Sequence, residues 1–169
     1  VQHEGYYWCA RGLLAMEQGN DDRAERVLLK ASDALPDDAF IQMQVAEFYW
    51  DYAKLDSAIT YYRKVLEADP ANAEAWYELA MALDTAGKAD KAIATLQKAF
   101  SLDPGRPHVS KRLSLLLERR GRYHAALEIL RQAASANPLN LDILSTYGDC
   151  AAHQWRIEEA AKAYRKALE

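Results

Sequence analysis

Four histidines and two cysteines are the side chains of this 169-residue sequence best suited to bind a metal ion or attack a substrate. The histidines are scattered, with no H-E-x-x-H motif and no Cys/His spacing that suits zinc: they are His3, His108, His124 and His153. No G-x-x-x-x-G-K phosphate loop is present. Carboxylates are numerous, but on helical surfaces we expect them to solvate or cap. The sequence therefore predicts a protein that is not an enzyme, with no cofactor and no metal site.

The charge balance and hydropathy narrow the classes of partner. The formal net charge is −4, which disfavours nucleic acid because phosphate contacts dominate that affinity. No stretch approaches the roughly 18 apolar residues of a membrane helix, so we expect a chain that does not span a membrane. The first residues, VQHEGYYWCA, lack a signal peptide pattern and an initiating Met. We therefore expect a fragment of a longer protein, and leave open cytoplasm or, after removal of an upstream signal, periplasm.

A fixed period of about 34 residues organises the elements that would position any site. It separates successive members of one set of prolines, namely Pro36, Pro70, Pro104 and Pro138. Such a period is typical of stacked helical repeats rather than of one globular core. The frame predicts a single repeat domain over residues 1–169, with repeats at about 5–38, 39–72, 73–106, 107–140 and 141–169.

Small residues recur at two positions of this frame. Position 20 is always alanine, and position 8 is always Gly, Ala or Ser: Ala24, Ala58, Ala92, Ala126 and Ala160, then Gly12, Ala46, Ala80, Ser114 and Gly148. Two helices can approach closely only where the facing side chains are small. The pattern therefore predicts a tightly packed pair of helices in each repeat.

The third repeat carries the pattern most completely, with Trp76, Leu79, Ala80, Leu83, Ala92, Leu96 and Pro104. It resembles the tetratricopeptide repeat, whose pattern is W-x2-L-G-x2-Y, then A-x3-F, then P. The resemblance implies an all-α fold, a right-handed superhelical solenoid of five helix-turn-helix repeats. It also implies a protein–protein interaction scaffold that binds a partner helix or extended peptide in a concave groove. Cys150 occupies a position where this family usually has a buried alanine, so we expect a core thiol.

In this family the first helix of each repeat lines the groove. Carrying the inward-facing positions across gives the predicted groove residues: Tyr6, Leu13, Met16, Phe40, Met43, Glu47, Trp50, Asp51, Tyr77, Met81, Lys111 and Arg119. The same correspondence includes Cys9. The first helix of repeat two, AFIQMQVAEFYWDY, is apolar nearly all round, so it must be buried on every side or meet a partner. We expect a partner segment with apolar anchors and some positive charge opposite the acidic rim.

Other features leave alternatives open. The Lys/Asn carboxylate clamp and the asparagine ladder of two specialised branches of the family are both missing. The chain could instead be a docking segment of a larger assembly, such as a bacterial polysaccharide-export or envelope-assembly protein, or the regulatory arm of an enzyme whose catalytic domain lies outside this fragment. We also expect uncapped end faces that allow self-association. Asp22 is predicted to cap a helix, and Trp155 stands at the usual turn glycine as an exposed aromatic.

Overall fold

The computed structural model describes residues 2–168, with the side chain of Gln2 left out. Within that span all regular structure is helical, in ten α-helices: α1 (Gln2–Glu17), α2 (Asp21–Ala34), α3 (Ala39–Asp51), α4 (Leu55–Ala68), α5 (Ala73–Thr85), α6 (Ala89–Leu102), α7 (Pro107–Arg119), α8 (Tyr123–Ala136), α9 (Leu141–His153) and α10 (Ile157–Leu168). A helix begins at the first residue of each of repeats two to five. The predicted all-α class and the register of the repeats are therefore confirmed.

The chain divides into two compact units, residues 1–88 with α1 to α5 and residues 89–169 with α6 to α10. In unit 1, each helix packs on the next along the chain, from α1 through to α5. In unit 2, the same order holds from α6 through to α10. Each unit is thus a series of antiparallel neighbours joined by short turns. That residues 1–169 form one domain stays a prediction.

Asparagine and aspartate side chains fix the start of four helices. Each accepts a hydrogen bond from the backbone N–H three residues ahead, over 2.9–3.3 Å: they are Asn20, Asp38, Asn72 and Asn140. These bonds satisfy donors that the first turn of a helix leaves without partners. The prediction that Asp22 caps α2 is wrong, because Asn20 is the last residue before the helix. Asp22 lies in the first turn, where its charge favours the positive end of the helix dipole.

The turn inside each repeat depends on one residue in the left-handed backbone region. These residues occupy the same position of successive repeats, with φ between 54° and 74°: Gly19, Ala53, Gly87, Gly121 and Trp155. In the last turn, the Trp155 N–H donates to the Ala152 carbonyl and the Arg156 N–H to the Ala151 carbonyl, both over 2.9 Å. This is the Schellman arrangement that ends many helices. It ends the first helix of the repeat.

Close helix approach explains the recurrent small residues. The five alanines of position 20 are all buried, with exposed fractions of 4% or less. A Cβ added to Gly12 would lie 2.7 Å from the Leu28 side chain, and one added to Gly148 would lie 2.5 Å from the Tyr164 ring. Real Cβ atoms do not approach other atoms so closely, so α1 on α2 and α9 on α10 each require glycine. The predicted tight pairing is confirmed for these two pairs of helices.

A buried polar pair, which the sequence did not predict, joins α2 to α3. Gln42 is fully buried and Ser32 nearly so, with exposed fractions of 0% and 3%. The Ser32 hydroxyl donates to Gln42 Oε1 over 2.9 Å, and Gln42 Nε2–H donates to the Leu35 carbonyl over 3.1 Å. Because these groups are paired, their burial does not leave the cost of an unmade hydrogen bond. The amide also specifies how one repeat meets the next.

Candidate partner-binding face

The rings of Tyr6 on α1 and Phe40 on α3 form the most exposed aromatic pair among the predicted groove residues. Their centroids are 6.5 Å apart, and 42% and 55% of the two residues are exposed. The Tyr6 hydroxyl donates to Asp38 Oδ2 over 2.5 Å, which fixes the ring beside the start of α3. Aromatic rings with one apolar side open to water are suited to contact with a partner. We call the surface that continues from this pair the aromatic face.

Six further apolar members of the predicted set are partly exposed. Each is neither buried in the core nor fully open to solvent: Leu13, Met16, Met43, Trp50, Tyr77 and Met81. On α3, the opposite side of the helix enters the core, since Ile41, Val45 and Phe48 are 2% exposed or less. The helix that is apolar all round therefore buries one side and leaves Phe40 and its neighbours accessible. The accessible side of α3, which carries Phe40, can contact a partner.

Acidic side chains lie beside the aromatic face on α3 and α5. Partial burial raises the pKa of Glu47, and the nearby Asp51 charge adds to that rise. Burial likewise raises the pKa of Glu78, with further contributions from Glu74 and Glu47. Burial raises the pKa of the Tyr62 hydroxyl well above its ordinary value, and Glu78, Glu47 and Asp51 raise it further. These carboxylates are close enough to disfavour one another's charge, so a cation from a partner would relieve their repulsion.

Glu78 was not among the predicted groove residues. It is half-buried on α5, one helical turn after Glu74, and the charge of Glu47 on α3 contributes to its raised pKa. The spacing of Glu74 and Glu78 by one turn was the signal that could have found it, because such residues share a helix face. The sequence does not show how much of that face is desolvated.

Cys9 does not belong to the accessible surface. Its exposed fraction is 2%, so the inward-facing position that the family correspondence gave it is wrong for this chain. Burial raises the pKa of the Cys9 thiol, with Asp38 adding to the rise. A thiol that stays protonated is a poor nucleophile, so Cys9 acts as a small apolar core residue.

Lys111 and Arg119 lie on α7 in unit 2, and both are exposed. Lys111 borders a cavity of about 120 Å³ that is also lined by Glu118, Asp149 and Cys150. Cys150 is 3% exposed, which confirms it as a core thiol. Burial and then a hydrogen bond with Glu118 raise its pKa to about 12. The cavity therefore presents an uncharged thiol, together with groups of both charge signs, rather than a reactive nucleophile.

Another cluster in unit 2 joins α8, α9 and α10 through Glu159. Arg131 Nη2–H donates to Glu159 Oε1 over 2.8 Å, Arg156 Nη1–H donates to Oε2 over 3.0 Å, and the Tyr147 hydroxyl also donates to Glu159. The Arg131 bond, followed by the Tyr147 bond, lowers the pKa of Glu159. The cluster borders a cavity of about 610 Å³. The Arg131–Glu159 ion pair joins consecutive repeats, so Glu159 is not an acid poised for proton transfer.

Two negative findings concern metals and membranes. Among the described residues, no group of three or more His, Cys, Asp or Glu side chains could hold a metal ion. Across residues 2–168, no helix combines the length and the apolar character that a membrane crossing requires.

Family models place the chain in one class of protein. Models described as tetratricopeptide repeat match residues 49–116 and 112–169. A model described as YpiA-like, tetratricopeptide repeats matches residues 18–70. Together the three matches extend from residue 18 to the end of the sequence. The chain belongs to the tetratricopeptide repeat family, whose fold is a helical solenoid used in protein–protein interaction. No curated protein matches the sequence.

Solved structures with the same fold include three proteins of different names. A crystal structure of MamA protein matches with a TM-score of 0.78 and 24% identity, over 99% of this chain and 92% of that chain. Pseudomonas aeruginosa pilF matches with a TM-score of 0.72 and 21% identity, over 98% and 76%. YrrB, described as a TPR protein with an unusual peptide-binding site, matches with a TM-score of 0.68 and 20% identity, over 95% and 83%. At these identities the likeness establishes the fold alone.

Proposed function

We propose that this chain is a protein-interaction scaffold whose aromatic face binds a segment of a partner protein. The observation that carries the proposal is the exposed pair of Tyr6 and Phe40, held 6.5 Å apart on two first helices. Side chains that are apolar, large and partly open to solvent contribute most to protein interfaces. Met16, Met43 and Met81 add flexible, polarizable surface that adapts to an incoming side chain.

The acids beside the aromatic face favour a partner segment that carries Lys or Arg. Glu47 and Glu78 have raised pKa values because neither carboxylate is fully solvated and each has an acidic neighbour. A cationic side chain placed between them would remove the repulsion and gain charge-assisted hydrogen bonds. The proposed ligand is therefore a helix or extended peptide with apolar anchors and at least one basic residue. YrrB, which has the same fold, is described as having an unusual peptide-binding site, and this supports a peptide as the kind of ligand.

A selection from a displayed library of random peptides tests the proposal directly. The wild-type chain is the bait, and a Tyr6→Ala/Phe40→Ala variant is used for counter-selection. We expect peptides that combine aromatic or aliphatic residues with Lys or Arg. Their dissociation constants, measured by calorimetry, should rise roughly thirtyfold or more in the variant, since losing two interface anchors costs about 2 kcal/mol or more.

Tyr7→Ala is the matched control. Tyr7 is next to Tyr6 on α1 and 53% exposed, but it contacts Trp8 and Arg11 instead of Phe40. Its removal should leave the affinity of the selected peptides unchanged. Peptides that bind the Tyr6→Ala/Phe40→Ala variant as well as wild type would contradict the proposal. A failure to enrich any sequence would favour the alternative of a docking segment in a larger assembly.

A further inference from the structure

Trp155 is held in solvent by a strained backbone. Its exposed fraction is 87%, and its φ of 60° lies in the left-handed region. For a residue with a Cβ that region costs about 1–2 kcal/mol. Strained residues cluster at functional sites. Here the strained residue also places a large apolar side chain in water.

A following repeat would not cover Trp155. The equivalent residues of the four earlier repeats are each followed by another repeat, yet all of them are exposed: Gly19, Ala53, Gly87 and Gly121. Ile157 and Tyr123 occupy one shared position, two residues beyond this turn residue, and are 59% and 53% exposed. Tyr123 is itself followed by the fifth repeat. The turn position of Trp155 is therefore exposed in all five repeats. At the position of Ile157, Tyr123 stays exposed although another repeat follows it, whereas Leu55 and Ala89 are partly buried.

The turns of repeats four and five are neighbours in unit 2. Gln154 Nε2–H donates to the Tyr123 carbonyl over 2.9 Å. This bond brings the residue before Trp155 to the start of α8. Together with the basic residues that flank them, Tyr123, Trp155 and Ile157 form a surface that we call the turn edge. It lies where first helices end and second helices begin.

The turn edge carries a positive charge. Residues 119–124 contain Arg119, Arg120, Arg122 and His124, with no acid among them. Of the nearby acids, Asp90 pairs with Arg120 over 3.4 Å, and Glu159 is shared by Arg156 and Arg131. Glu158 is a further exposed acid beside Ile157, and Glu118, which precedes Arg119, is partly exposed and bonds to Cys150. The arginines exceed these acids, so the surface favours an anionic partner.

We propose that the turn edge docks on an anionic lipid surface, with Trp155 and Ile157 entering the headgroup layer. Tryptophan favours that layer because its ring is apolar and its N–H is polar. Arginines beside it attract anionic lipids. The Trp155 and Arg156 N–H groups are already bonded to the carbonyls of Ala152 and Ala151. The turn can therefore leave water without exposing unpaired backbone donors. This inference concerns a surface other than the aromatic face and does not depend on the proposed function.

Sedimentation with lipid vesicles tests the docking proposal. The probes are vesicles of pure phosphatidylcholine and vesicles that also contain about 30% phosphatidylglycerol, the second being anionic. We expect binding only to the anionic vesicles, with loss of binding at about 0.5 M salt because the charges are then screened. Binding of equal strength to both kinds of vesicle, or to neither, would overturn the proposal.

The variant Trp155→Gly separates docking from folding. Glycine relieves the left-handed strain, so this variant should be at least as stable as wild type in thermal unfolding. Its partition onto anionic vesicles should nevertheless fall roughly tenfold, since it no longer buries the ring. If Trp155→Gly binds the vesicles as well as wild type does, the lipid assignment is wrong.

Two variants that change the net charge equally, one on the turn edge and one away from it, complete the test. Arg122→Glu should weaken vesicle binding roughly tenfold or more. Lys98→Glu makes the same change in net charge on α6 and should leave binding near the wild-type value. Equal losses in the two variants would mean that overall charge, and not the turn edge, governs the association. A protein ligand captured in solution that requires Trp155, without any vesicle binding, would reassign the turn edge to a protein partner and would also overturn the proposal.

Discussion

Tyr6 and Phe40 belong to different repeats, yet their ring centroids are 6.5 Å apart in the fold. They occupy the same position of two consecutive repeats, so the pair expresses the repeat period as a spatial contact. Phe40 remains 55% exposed. The contact therefore organises a surface more than it fills a core.

Truncation of Phe40 should cost little stability. We expect Phe40→Ala to lower the free energy of unfolding by less than about 1 kcal/mol, because much of the ring is already in water. Phe48→Ala, on the buried side of the same helix and 2% exposed, should cost about 3–5 kcal/mol. Urea unfolding followed by circular dichroism measures both. Equal losses of unfolding free energy would show that Phe40 belongs to the core. They would contradict its assignment to an accessible aromatic face.

Gly148 should not tolerate a methyl group. A Cβ there would lie 2.5 Å from the Tyr164 ring, so Gly148→Ala forces α9 and α10 apart at about 1–3 kcal/mol. Gly105→Ala is the control, since its Cβ would meet other atoms at 3.5 Å or more. Denaturant midpoints of the two variants give the comparison. A stabilised Gly148→Ala protein would mean that Tyr164 moves aside without cost.

The buried amide of Gln42 should contribute more to stability than the amide of Gln44, which lies at the surface. Gln42→Leu removes the acceptor of the buried Ser32 hydroxyl and one of two donors to the Leu35 carbonyl, which keeps its bond from the Asp38 N–H. Unpaired buried groups cost about 1–3 kcal/mol. Gln44→Leu removes only a 3.0 Å bond to Glu47 at the surface and should change stability by less than about 0.5 kcal/mol. Thermal unfolding measures both variants. Equal melting temperatures for Gln42→Leu and Gln44→Leu would contradict a stabilising role for the buried amide.

Replacement of Glu78 should reveal the sign of its pKa shift. Burial raises the pKa of Glu78 in the folded chain, so the folded state holds the proton to a higher pH than the unfolded state does. Stability from this group therefore falls as pH rises through the raised pKa. Glu78→Gln should melt at a higher temperature than wild type at about pH 7, and the two should converge below the ordinary Glu pKa of about 4.3.

Glu159→Gln is the opposite case and serves as the control. Its bond with Arg131 lowers the pKa of Glu159, so its contribution is present above the unfolded pKa and is lost as pH falls through the folded one. Glu159→Gln should melt below wild type at neutral pH, with the gap closing in acid. Melting temperatures of both variants are measured across pH. If both variants melted above wild type at neutral pH, or both below it, the environment described for Glu78 or for Glu159 would be wrong.

The backbone plan could be predicted from local sequence. Helix starts at Ala39 and Ala73 follow from the repeat period, and Asn and Asp side chains mark the starts because they pair with N–H groups only one helical turn away. The alanines of position 20 predicted close helix contact for the same reason: side-chain size acts directly on spacing. These are short-range effects, repeated five times, so the sequence determined the all-α class and its register.

Tertiary structure decided which side chains are exposed and how their pKa values shift, because burial and electrostatic interactions depend on residues distant in the chain. Cys9 and Gln42 are buried by packing that no local pattern specifies. Glu78 gains its raised pKa partly from Glu47 of the preceding repeat. The sequence alone flagged Trp155 as an exposed aromatic at a turn. The fold supplied its left-handed φ and the neighbouring turn that bonds to Gln154, and these set the ring on a basic edge.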